Sequence, residues 1–119
     1  MTEVLAYEVR RVQGDEEMTA ALALRHEVFC VEQGVPMHEE LDGRDGEGLH
    51  LVAVSNGDLL ATCRLLFVGP TVQFSRPAVR HRVRRHGIAT ALLKLADVVT
   101  RAGGARRLVL HARTYARAL

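Results

Sequence analysis

The stretch Arg84-Arg85-His86-Gly87-Ile88-Ala89-Thr90 constrains this chain more than any other. An apolar run from Val72 to Val79 precedes it and reads as a strand. An amphipathic segment follows, Ile88 to Ala102, with Ile88, Leu92, Leu95, Ala96 and Val99 on one seam. Strand, glycine-bearing turn and helix in that order expose the first backbone N–H groups of the helix at the turn. Those groups lack intrahelical partners, and the helix dipole favours an anion there by roughly 0.3–1 kcal/mol, up to about 2 in a sheltered site. Gly87 puts no side chain in the way, and the flanking arginines add charge. The stretch has the chemistry of a phosphate cradle.

The 119 residues suit one domain with a real core. With aromatics at 4% and no Trp, that core must be built from Leu, Val and Ala. A net charge of +2 is too small to imply nucleic acid, and no aromatic residues interleave the basic run Arg80-His81-Arg82 for base stacking. No apolar run approaches the ~18 residues of a membrane span, and the start lacks a signal-peptide pattern. Cys30 and Cys63 stand outside any C-x-x-C pair, so they read as reduced thiols of a cytoplasmic protein.

In chain order, Tyr7 to Val12 reads as a first strand. Met18 to Val31 reads as a helix with Met18, Leu22, Arg25 and Phe29 on one stripe. An arginine on an apolar stripe costs several kcal/mol unless a carboxylate meets it. The turn-rich acidic segment that follows, Val31 to Asp45, offers Glu32, Glu39, Glu40, Asp42 and Asp45, with Gly34, Pro36 and Gly43 opposing any helix. Leu49 to Ser55 and Leu59 to Val68 are strands joined by Asn56-Gly57-Asp58, a strong hairpin signal because Asn and Gly accept positive φ. In the next strand, Val72 to Val79, Pro77 cannot donate a ladder hydrogen bond. The strand should therefore bulge there, or lack a neighbour on that side, leaving room for a ligand to bond to backbone. The helix ends at Gly103-Gly104, Arg107 to Ala112 is a last strand, and Arg113 to Leu119 begins a helix. The order β-α-β-β-β-α-β-α describes an α/β fold on a mainly antiparallel central sheet with flanking helices and one crossover helix.

Arg84-x-x-Gly87-x-Ala89, behind a strand ending Ala78-Val79 and ahead of an amphipathic helix, resembles the pyrophosphate loop of the GNAT superfamily of acetyl-CoA-dependent N-acetyltransferases. The rest of the chain strengthens the likeness. Leu24-Arg25-x-x-Val28-Phe29-x-x-Glu32-Gln33, Pro36, Asp42-x-x-Asp45 and His50 look like the first half of the ElaA-type branch. His111-Ala112-Arg113 and Ala116 resemble the segment after that branch's fifth strand, with Arg113 in place of a glutamine.

The resemblance implies a GNAT-like fold and direct transfer of an acetyl group from acetyl-CoA to a primary amine, on a small molecule or a peptide. It assigns Ala78 and Val79 to the pantetheine arm, and Arg85, His86, Gly87, Ile88, Ala89 and Thr90 to the pyrophosphate. Arg84 would brace the loop. Glu32 and His111 are the titratable groups it brings nearest the cleft, with Asp42, Asp45 and His50 behind them. The acidic segment points to a cationic acceptor. No metal and no covalent enzyme intermediate are implied. The family's continuation, an aromatic pair and two more strands, would start at Leu119, so the domain reads as C-terminally shortened. Its usual tyrosine acid would follow Leu119, and Tyr115 lies too early to replace it. Strand 107–112 would then have a bare apolar edge, which a second copy in a homodimer would cover. A catalytically impaired coenzyme A-binding or assembly domain is the competing reading. The series Arg25, Phe29, Asp42 and Asp45 also resembles acyl-homoserine lactone synthases, which lack the cradle.

Overall fold

The computed structural model describes residues 5–110. Five strands lie in one sheet in the order of the sequence: β1 (Glu8–Arg11), β2 (Leu49–Ser55), β3 (Asp58–Val68), β4 (Thr71–Val79) and β5 (Arg107–Leu110). The first four are antiparallel. The fifth runs parallel to β4, as a strand delivered by a crossover helix must. Between β2 and β3, Asn56 (φ +48°) and Gly57 (φ +84°) both take the left-handed conformation that a tight hairpin requires.

Helix α1 (Gly14–Arg25) continues into a π-helical segment, His26–Glu32, instead of running on as one α-helix. The buried side chains are Ala21, Leu24, Arg25, Val28 and Phe29, while Met18 and Leu22 of the expected stripe are half-exposed. The buried set keeps α-helical spacing, with Ala21, Leu24, Arg25 and Val28 at i, i+3, i+4 and i+7, so the packed face is rotated from the expected stripe. A short helix, α2 (Met37–Glu40), stands in the acidic segment where the sequence suggested none. Helix α3 (Ile88–Ala102) follows expectation and is capped by Gly103, with Gly104 at φ +78°.

Alternation along the strands divides the core between the two faces of the sheet. Leu51, Ala53, Cys63, Leu65 and Phe74 pack with Ile88, Leu92 and Ala96 of α3. On the other face Val52, Leu59 and Ala78 pack with Ala21, Leu24, Val28 and Phe29. At the end of the sheet, Val109 and Leu110 of β5 are exposed.

The irregularity expected at Pro77 is a bulge. Thr62 faces Ala78 and Arg64 faces Ser75, so Arg76 and Pro77 together oppose Cys63. Arg76 sits at φ +54°, strained for a side chain with a Cβ. Beyond the bulge the other edge of β4 is also open. Its pairing with β5 runs only from Thr71↔Arg107 to Phe74↔Leu110, leaving Ser75 to Val79 without a strand partner there among the described residues.

The bulge also turns Arg76 into a buried ionic network that the sequence revealed only at Arg25. Arg25 donates to Glu40 Oε1 (2.7 Å) and Asp45 Oδ1 (2.7 Å). Arg64 holds both oxygens of Asp42 (2.8 and 2.9 Å), reaches Asp45 Oδ1 (3.0 Å), and donates to Ser75 Oγ (3.2 Å). Arg76 donates to Asp42 Oδ2 (3.2 Å) and to the Glu40 carbonyl (3.3 Å). Gly48 makes room for this packing, because a Cβ there would stand 2.9 Å from Arg64 Cγ. Three guanidinium groups thus meet three carboxylates and tie the acidic segment onto the sheet.

Removing one member strands the others. Arg25 and Glu40 are 0% and 2% exposed, so Arg25→Met leaves a buried carboxylate without its main partner. We expect a loss of about 3–5 kcal/mol in urea unfolding monitored by circular dichroism.

Candidate active site

A cleft of about 470 Å³ opens where β4 leaves the ladder, within the size range of small-molecule sites. Its wall is formed by Pro77 and Val79 of β4, Val83, Arg84, Arg85, Gly87, Ile88, Ala89 and Thr90 of the loop and helix start, and Val28 and Gln33 across from them. Gly87 is the N-cap of α3 at φ +76°, and an added Cβ would meet no atom within 4 Å. The glycine is therefore needed for its backbone conformation and for keeping the cavity clear, rather than for close packing. The first helical bond, Ala91 N–H to Gly87 O (3.0 Å), leaves the N–H groups of Ile88, Ala89 and Thr90 without intrahelical acceptors. Arg85 adds a second left-handed residue (φ +68°), so the loop is strained where it lines the cavity.

Arg84 braces the loop as expected. Its Nε–H donates to the Val79 carbonyl (3.0 Å), and its Nη2 group to both oxygens of Glu32 (2.7 and 3.0 Å). This one side chain joins the open strand, the loop and the end of the π-helical segment.

Backbone alternation separates the two strand residues expected to meet a ligand. The Arg80 N–H bonds across to Leu60 O (2.9 Å), so Arg80 and, two residues earlier, Ala78 turn their backbone groups towards β3. Val79 turns its N–H and C=O towards the cleft. Ala78 is buried in the core opposite Thr62 and is absent from the cavity wall, as is His86. Of the others, Val79, Arg84, Arg85 and Gly87 to Thr90 line one cavity. Glu32 is engaged by Arg84, and His111 lies outside the described residues. Sequence reasoning missed Val28, Gln33 and Val83. A π-helical register would have found the first two, since positions five apart share a face there.

The acetyltransferase (GNAT) family profile matches residues 16–119. The chain belongs to that family. The uncharacterized N-acetyltransferase YjcF of Bacillus subtilis is 28% identical over 104 residues, 87% of this chain and 74% of that one. An acyl-CoA N-acyltransferase from Pseudomonas aeruginosa superposes with a TM-score of 0.76 at 30% identity, covering 95% of this chain and 82% of the other. Escherichia coli ElaA superposes with a TM-score of 0.78 at 25% identity, covering 92% and 80%. The mixed fold and the ElaA-type likeness read from the sequence agree with these relatives. Among the described residues no helix is long and apolar enough to cross a membrane.

The acids behind the cleft belong to the buried network. The Arg64 hydrogen bonds hold the Asp42 carboxyl down at about 2. Burial pushes Asp45 up, but Arg25 and Arg64 outweigh it and the carboxyl is lowered. His50 Nε2 donates to the Asp45 carbonyl (2.9 Å), and burial lowers its pKa, so the ring is neutral near pH 7. Burial pushes the Cys63 thiol up to about 12, which removes it as a nucleophile at neutral pH. With Glu40, Asp42 and Asp45 paired to arginine, the acidic segment does not offer these charges to a cationic acceptor.

These shifts set a pH dependence. A carboxyl depressed from its ordinary value of 3.8 to about 2 contributes stability above about pH 4 and loses it as pH falls towards 2. Asp42→Asn should be less stable at pH 7 and should lose less on acidification through that window. Urea midpoints at pH 7, 4, 3 and 2 measure both effects.

Proposed function

We propose that this protein transfers an acetyl group from acetyl-CoA to a primary amine by direct attack, with no acyl-enzyme. One observation carries the reading: a helix start whose first N–H groups lack intrahelical acceptors and a gap in the strand ladder share one cavity. A ligand with a pyrophosphate and an amide-bearing arm uses both; a simple phosphate ester uses only the first. The names of the relatives, N-acetyltransferase and acyl-CoA N-acyltransferase, support the same donor class.

The residues present fit that donor. The N–H groups of Ile88, Ala89 and Thr90, with Arg85, suit its pyrophosphate, and the backbone of Val79 suits the arm. When bound, the thioester supplies an activated acyl carbonyl. The Val79 N–H, turned to the cleft and fixed by the Arg84 bond to the same residue's carbonyl, is the donor best placed for the developing oxyanion. Glu32 serves this reading as the partner that holds Arg84, and His111 as the candidate to take the amine proton. The setting we propose remains the cytoplasm.

The Glu32–Arg84 pair also favours a second reading, a coenzyme A-binding domain that does not turn over. Acetyl-CoA consumption in the presence of an amine panel separates the two.

The cradle is tested first by binding. Gly87→Glu should abolish coenzyme A binding in calorimetry through charge and bulk. Gly87→Ala adds a single Cβ at the cavity, so it should weaken binding less than Gly87→Glu does while losing roughly 1–2 kcal/mol of stability to the left-handed conformation. Wild-type affinity in the Gly87→Glu protein would refute the assignment.

A further inference from the structure

Gln33 is the polar residue of the cleft wall that the donor reading leaves without a task. It ends the π-helical segment, its N–H bonded to Val28 O (3.2 Å), and the Val35 N–H closes the same end on Phe29 O (2.8 Å). The adjoining Glu32 is anchored to Arg84, so the backbone that carries Gln33 is fixed on both sides. Its side-chain carbonyl oxygen Oε1 is shielded from solvent and has no hydrogen-bond partner. Such an oxygen typically costs about 1–3 kcal/mol, and a ligand N–H entering the cleft would relieve that cost. The terminal amide torsion of Gln is soft, so a small rotation presents the oxygen to the cavity.

We propose that Gln33 receives the acceptor, and that the acceptor is a primary amine of low basicity, one with a substantial uncharged fraction near neutral pH. This rests on the acetyl-transfer reading above. Two elements of the cavity serve the donor, the helix start and the β4 backbone; Gln33 comes from a third and is the acceptor's natural contact. The charged side chains of the wall are Arg84 and Arg85, and no carboxylate lines it. Arg84 is already paired with Glu32, so Arg85 is the guanidinium that disfavours an ammonium, and the amide oxygen of Gln33 gives an ammonium no compensating charge. An amine arriving unprotonated needs neither compensation nor prior deprotonation. It donates one N–H to Gln33 Oε1 and keeps its lone pair for the acyl carbon. The C–N bond forms, the C–S bond breaks with its electron pair going to sulfur, and the proton released by nitrogen ends on the coenzyme A thiolate. The products are an N-acetyl amide and free coenzyme A. An α-amino group, with an ordinary pKa of about 7.7–8.0, fits this class; a lysine side chain at about 10.4 does not.

The test compares two probes with acetyl-CoA at pH 7.5: alanyl-alanine amide, which offers an α-amine, and Nα-acetyl-lysine amide, which offers an ε-amine. The wild type should favour the first by at least tenfold in kcat/KM. Gln33→Leu should raise KM for it by about tenfold or more, with coenzyme A affinity by calorimetry unchanged. Gln33→Glu keeps an acceptor oxygen, so it should restore part of the binding, but it also stabilises the ammonium form. Its rate profile should therefore move to higher pH, a shift that a merely structural role would not produce. Equal kinetics for wild type and Gln33→Leu, or preference for the ε-amine, would overturn the proposal while leaving the transfer reading intact. Coenzyme A binding without turnover of either probe would overturn both.

Discussion

The buried meeting of Arg25, Arg64 and Arg76 with Glu40, Asp42 and Asp45 is the interaction on which the rest of this structure depends. Between the π-helical turn and β2, Val35 alone brings an apolar side chain into the core, while Met37 and Leu41 are exposed. Hydrophobic burial cannot hold it. Three guanidinium forks, each able to bond several oxygens at once, hold it by geometry. The segment's position fixes the end of the π-helical turn, and with it the side of the cleft opposite β4.

Arg76 links this network to the cavity. The bulge that opens the β4 edge is also what turns Arg76 under the sheet, at a left-handed φ that a regular strand would not tolerate. One irregularity therefore has two consequences: backbone groups face the cleft on one side, and a cation meets Glu40 and Asp42 on the other. The strain at Arg76 is offset by the bonds it makes possible. Pro77, lacking an N–H, suits the position where the ladder is already interrupted.

Much of this was legible in the sequence because local chemistry decided it. Leu49 to Ser55 is the strand expected, residue for residue, and Asn56-Gly57 sets its hairpin through φ alone. Gly87 and the seam of α3 mark the cradle for the same reason. What stayed hidden depended on distant partners. Arg64 lies inside the run Leu59 to Phe67, and alternation makes it look like an outward-facing residue of a half-exposed strand. Both faces of β3 are in fact covered, so Arg64 needed a carboxylate as surely as Arg25 did. The signal available was a count: five acids in one short segment, and arginines at three positions of otherwise apolar elements. The π-helical turn left no such trace, since its period departs from the α-helical one only over seven residues.

An ionic network is a poor source of net stability, because desolvation of each charge cancels much of the attraction. Its value here is directional. Apolar packing would tolerate the acidic segment in several registers, whereas Arg25, Arg64 and Arg76 accept only the arrangement that satisfies all three forks. The same reasoning extends to Arg84, which is more exposed and joins Glu32 to the Val79 carbonyl. Its contribution to stability is small by the usual measure of exposed pairs, ~0–1 kcal/mol. Its geometric effect is larger, because the two sides of the cleft, β4 and the π-helical turn, are held in register through that single guanidinium. The cleft has the β4 backbone on one side and Val28 and Gln33 on the other, and the Arg84–Glu32 pair holds the two sides in place while Glu32 itself stays out of the lining.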